Sequence, residues 1–198
     1  MSQSTLLWDT ARAAGIVSWA LLAASALWGL ALSTRVLGGR PRSAWLLDLH
    51  RFLGGAAVIF LAVHIVTIVF DSYVHFGLVE VLVPLTGTWR PGAVAWGIVA
   101  MYLLAAVELT SLARAHLPKR IWDTSHYVAF PLFLFASLHA LTAGTDRGSG
   151  ALRLAVFGAG AAVAALTAVR AAEVARHGTG RARTPLPPPR RAAVRRAR

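Results

Sequence analysis

The chain has 198 residues, 57% hydrophobic and 14% charged, a balance too apolar for a soluble domain of this length and suited to a bundle of spanning helices. It contains no cysteine, which excludes disulfides, thiolate-held metals and any cofactor attached through a thioether. The formal charge of +12 resembles a nucleic-acid signal until it is mapped, when it sorts by loop.

A helix rises about 1.5 Å per residue, so about 20 apolar residues cross the roughly 30 Å of hydrocarbon in a bilayer. Residues 13–34 form the first such stretch and carry no charge. The second is uncharged over 52–70 and is expected to begin near Trp45. The loop 71–91 that follows contains FGLVEVLVPL, too short to span and partly amphipathic, and is expected at the interface. The third stretch is 92–112 and the fourth 124–145. The fifth, 152–175, is charge-free only over 154–169 and is rich in alanine and glycine, which suits close helix packing. The expected fold is all-α, a polytopic membrane helix bundle of about five transmembrane helices, with six as the alternative. The start MSQSTLLWDTAR lacks the basic n-region of a secretory signal, so the first stretch reads as a retained span.

Arg35, Arg40, Arg42 and Arg51 follow the first span, Arg114, Lys119 and Arg120 the third, and Arg170 with eight further arginines the fifth. Arg12, Arg90, Arg147 and Arg153 lie on the other side. Sixteen basic residues against four place the N-terminus outside the cell membrane and the C-terminus in the cytoplasm. The domain boundary falls at residue 175: residues 1–175 form the spanning domain, and 176–198, with TPLPPP and clustered arginines, read as a disordered cytoplasmic tail. That tail is expected to anchor the topology and touch anionic lipid. It interleaves no aromatic residues with its charges, so nucleic acid is not an expected partner.

Four histidines fall within the predicted spans, where a polar ring is costly and marks function. His50 and His64 are fourteen positions apart on the second span, about 21 Å along a helix and within about 40° of one face. His126 and His139 are thirteen apart on the fourth, about 20 Å along the axis. The two spans run in the same direction, so His50 meets His126 near one surface and His64 meets His139 near the other. An iron that takes one axial ligand on each face of a porphyrin finds two such pairs here. Thirteen steps leave about 140° between His126 and His139 on an ideal helix, so a change of winding is expected at Pro131. Phe133, midway between them, is a candidate for the gap between the levels, with core packing as the commoner role. His75, His116 and His177 are expected at the surface.

The stretches ARAAGIVSWALLAASALWGLAL, LDLHRFLGGAAVIFLAVHIV and LVPLTGTWRPGAVAWGIVAMYLLAAVELTSLARAHLPKRIWDTSHYVAFPLFLFASLHAL, with the GTDR that follows, resemble the ferric-reductase-like transmembrane family, the haem-bearing core shared by NADPH oxidases, ferric reductases and the haem-binding subunit of methionine-sulfoxide reductase. The likeness covers roughly residues 11–147; members usually have six spans where five are counted here. It implies two b-type haems, the inner on His50 and His126 and the outer on His64 and His139. It also implies a cytochrome b that carries electrons across the bilayer within an oxidoreductase system. Arg51 and Arg120, with Arg114 and Lys119, are candidates for the inner haem propionates, and Arg90 and Arg147 for the outer. Larger members carry a cytoplasmic flavin and nicotinamide domain after the last span. No glycine fingerprint or strand pattern follows it here, so the expected donor is a quinol or a cytoplasmic flavoprotein, and the acceptor an outer-side protein or flavoprotein. The competing readings are a proton-coupled transporter with a histidine relay and a structural membrane subunit. No inverted repeat or pair of broken helices supports the transporter.

Overall fold

The computed structural model describes residues 3–34, 44–71 and 76–181, and every regular element among them is helical. Arg35, Arg40, Arg42, His75, the side chain of His177 and the tail beyond Arg181 lie outside the described residues. Five helices are long and apolar enough to cross a membrane: Thr5–Ser33, Ala44–Phe70, Pro91–His116, Lys119–Thr142 and Gly150–Arg176.

Helix α1 (Gln3–Ser33) runs antiparallel to α2 (Ala44–Phe70), and the two form the most extensive helix contact. Ser18 donates from its hydroxyl to the carbonyl of the fully buried Ala57 at 2.9 Å, and Trp28 donates from Nε1 to the Leu46 carbonyl at 2.8 Å. Interhelical hydrogen bonds of this kind hold helices together in hydrocarbon, where burying apolar surface supplies little drive. The stretch of the 71–91 loop expected at the interface contains the short helix α3 (Leu78–Leu82). Pro91 then opens α4 (Pro91–Leu112) at a position whose N–H has no intrahelical acceptor in any case.

The fourth span is broken into α5 (Lys119–Tyr127) and α6 (Ala129–Thr142), with the break at Val128. Pro131 supplies no N–H to the Tyr127 carbonyl one turn before it, and Val128 closes a tighter turn by donating to the Ser125 carbonyl at 3.1 Å. The change of winding expected from the thirteen-residue spacing therefore falls one turn before the proline. Helix α7 (Gly150–Arg181) continues past residue 175, because Ala-rich sequence with Arg and Glu favours helix beyond the apolar stretch.

Two apolar clusters bind the helices. Trp19 and Ala23 of α1 meet Phe133 of α6 and Val156 of α7. Ala100, Leu104 and Val107 of α4 meet Leu132 of α6, which is 2% exposed. Phe133 thus faces α1 and α7 as core packing, and its neighbour Leu132 points toward α4. Ile59, Phe70, Leu112 and Phe157 are exposed, as expected where the surrounding solvent is hydrocarbon.

Candidate functional site

Helix α2 places His50 and His64 on its inner side, and α5 and α6 bring His126 and His139 opposite them. The rings of His50 and His126 have centroids 6.0 Å apart with planes at 72°, and those of His64 and His139 are 6.4 Å apart at 78°. The two levels are called lower (His50, His126) and upper (His64, His139).

Three of the four rings are anchored by one repeated device. His64 meets the Ala11 carbonyl through Nδ1 at 2.7 Å, His139 the Ala93 carbonyl at 2.9 Å, and His50 the Ser25 carbonyl at 3.0 Å, with the Ser25 hydroxyl also 3.2 Å from His50 Nδ1. In each case a glycine stands four residues after the carbonyl: Gly15, Gly97 and Gly29. A Cβ built on Gly15 would come within 2.9 Å of the His64 ring, on Gly29 within 2.9 Å of His50, and on Gly97 within 2.6 Å of His139. The missing side chain lets the ring reach a carbonyl that a helix otherwise covers. A carbonyl at Nδ1 fixes the proton there and leaves the Nε2 lone pair free. Three of the four imidazoles thus present a free Nε2, and no group of three or more His, Cys, Asp or Glu that could hold a metal is present among the described residues.

At the upper level the rings open on a cavity lined also by Gly15, Gly97, Arg12 and Asp146. Arg12 joins Asp146 at 2.6 Å and Asp9 at 3.3 Å, tying α1 to the turn after α6. Leu22, Leu61, Leu104 and Leu132 line the same cavity together with Ser18 and Trp19, so its wall is largely apolar.

The model of the family described as ferric reductase like transmembrane component matches residues 14–137, more than half of the chain. The chain belongs to that family. Comparison with the curated proteins and with the solved structures finds no match. The family match takes in His50, His64 and His126 and stops two residues before His139, so the fourth histidine joins the set through its geometry.

As a ferric-reductase-like membrane component, the chain was expected to use basic residues near its histidines. The structure brings few of them in. Arg51, next to His50 on α2, pairs with Asp48 at 3.4 Å with its side chain 61% exposed. Arg120 is exposed, and Lys119 pairs with Asp123 at 2.6 Å. Arg90 lies over Trp89 at 5.2 Å and donates to the Thr142 carbonyl, while Arg147 and His116 are exposed. Arg114 reaches His126 through Trp122. Sequence reasoning missed the pairing of Arg12 with Asp146, which lie 134 positions apart. It also missed the three glycines, although Gly15 and Gly29 repeat the fourteen-residue spacing of His50 and His64.

Proposed function

We propose that this chain is a membrane cytochrome b, the electron-transfer component of an oxidoreductase system. The facing couples His50 with His126 and His64 with His139 fit haem b, which would draw only two nitrogens per site from the protein. The observation that carries the reading is the pair of level-matched histidine couples with centroids 6.0 and 6.4 Å apart. Facing imidazole rings at those separations would leave room between them for the iron of such a group. The cradles at Gly15, Gly29 and Gly97 support the same reading, since they hold ring orientation and tautomer.

In this reading His50 and His126 hold the inner haem, and His64 and His139 the outer. When bound, the two haems supply one-electron carriers that link the cytoplasmic side to the outside. The protein's own part is orientation and exclusion of water. The carbonyls of Ser25, Ala11 and Ala93 hold the Nδ1 proton and aim Nε2, and the leucines that line the upper cavity keep water from it. Arg12 is the cation that lines the upper cavity, a better placed propionate partner than Arg90 or Arg147. The donor is a quinol or a cytoplasmic flavoprotein and the acceptor an outer-side protein or flavoprotein, with any flavin on the partner.

A visible spectrum of the purified protein tests the assignment. A sharp Soret band with α and β bands on reduction, and two haems per chain, are expected. A folded helical protein that remains colourless when produced with ample haem would overturn it.

The excess of basic residues after the first, third and fifth spans supports a cytoplasmic C-terminus in this reading. Single cysteines at Thr184 and Thr86 can be probed with an impermeant thiol reagent in intact cells, a clean measurement because the native chain has no cysteine. Labelling is expected at position 86 and not at 184; the reverse pattern inverts the topology and the direction of electron flow.

A further inference from the structure

His126 stands apart from the other three histidines. Its Nδ1 is buried and has no hydrogen-bond partner. The α4 carbonyl that serves His139 is that of Ala93, followed four residues on by Gly97; fourteen positions further along α4, where the α1 pattern would place a second such device, stand Val107 and Ser111. A serine keeps a Cβ on the helix surface and denies a ring the close approach that glycine permits.

What His126 has instead is an aromatic support. The Trp122 ring stacks on it, with centroids 5.1 Å apart and planes at 21°, and the Arg114 guanidinium lies 4.5 Å over the Trp122 ring. Trp122 and His126 are one turn apart on α5, so the helix itself sets the stack. The Trp122 Nε1 is also buried without a partner, so the ring is held by its face and not by its N–H.

Resting on the two-haem reading above, we propose that Trp122, backed by Arg114, is the positioning residue for His126, and that this support makes the lower site differ from the upper. Stacking fixes the plane of the imidazole but adds no electron density through Nδ1, whereas a carbonyl acceptor there raises ligand basicity. A less basic ligand favours ferrous over ferric iron, and so does the Arg114 guanidinium, whereas Arg12 at the upper level is paired with Asp146 and Asp9, so the lower site would have the higher reduction potential. Without the Nδ1 bond its haem is also the more readily released.

The test uses the full-length protein in detergent, with redox titration, low-spin EPR and haem transfer to apomyoglobin as readouts. The wild type is expected to titrate in two steps and to release one haem faster than the other. Trp122→Ala should accelerate that faster release about ten-fold, the lower range for loss of a supporting contact around a metal ligand, and shift one of the two low-spin signals. Trp122→Phe, which keeps a stacking face, should restore both. Arg114→Gln should move the higher potential downward and leave the lower one in place, while Arg114→Lys retains it. Should Trp122→Ala yield no folded protein, the Arg114→Gln titration decides alone. Unchanged release, potentials and EPR signals in these variants, or equal changes at both haems, overturn the proposal. A wild-type protein without haem fails earlier and overturns the functional reading itself.

Discussion

Protein carrying His64→Ala together with His139→Ala is expected to retain one low-spin haem, whereas protein carrying His64→Ala together with His126→Ala is expected to lose or severely perturb both. The first variant empties one level, because those two rings face each other at 6.4 Å. The second removes one ligand from each level and leaves His50 and His139 about 20 Å apart by helix rise, too far to share an iron. Single substitutions at any of the four should lower haem content toward half. Each histidine is also a strut: His64 bonds the Ala11 carbonyl and His139 the Ala93 carbonyl. Losing such a bond in a membrane costs about 0.6 to 2 kcal/mol, so helical content and yield are measured before the spectra are compared. One intact bis-histidine haem in the across-level variant would show that the pairing is wrong.

Gly97→Ala should remove the upper haem while leaving the lower, although it adds only one methyl group. The new Cβ would stand 2.6, 2.7 and 2.9 Å from Nδ1, Cε1 and Cγ of His139. Those are ring atoms with no slack, so the imidazole must swing away and surrender its bond to the Ala93 carbonyl. Overpacking of this kind costs about 1–3 kcal/mol, against a gain of about 1 kcal/mol from replacing glycine by alanine within a helix. Gly15→Ala should weaken the same level and Gly29→Ala the lower one, each less severely, since the nearest approach is 2.9 Å. Gly55→Ala and Gly158→Ala are the controls, because nothing lies within 4 Å of a Cβ at either position. Both should keep full haem and gain thermal stability through the same helix preference. Haem-to-protein ratio and thermal unfolding read the result; a Gly97→Ala protein with two haems and raised stability would sink the cradle argument.

Five spans and two histidine levels were legible in the sequence because both follow from lengths along a helix axis. Hydrocarbon thickness sets how many apolar residues a span needs, and rise per residue converts the spacings of fourteen and thirteen into matched heights. What lies around the axis was less legible. The off-face spacing of His126 and His139 could be noticed in the sequence, but the turn at Val128 that reconciles it comes from backbone bonding. Whether Leu132 or Phe133 faces α4 depended on the same rotation, and so did the stack of Trp122 on His126.

The sequence by itself thus determined an all-helical membrane bundle, its family and the heights of its four intramembrane histidines, since each rests on composition or on distance along one chain segment. Only the tertiary structure decided which carbonyls hold three of those rings, that Gly15, Gly29 and Gly97 make room for them, and that Arg12 closes with Asp146. Those contacts join segments 25 to 134 positions apart. They arise from how closely two helices approach and in what rotation, which no single segment encodes.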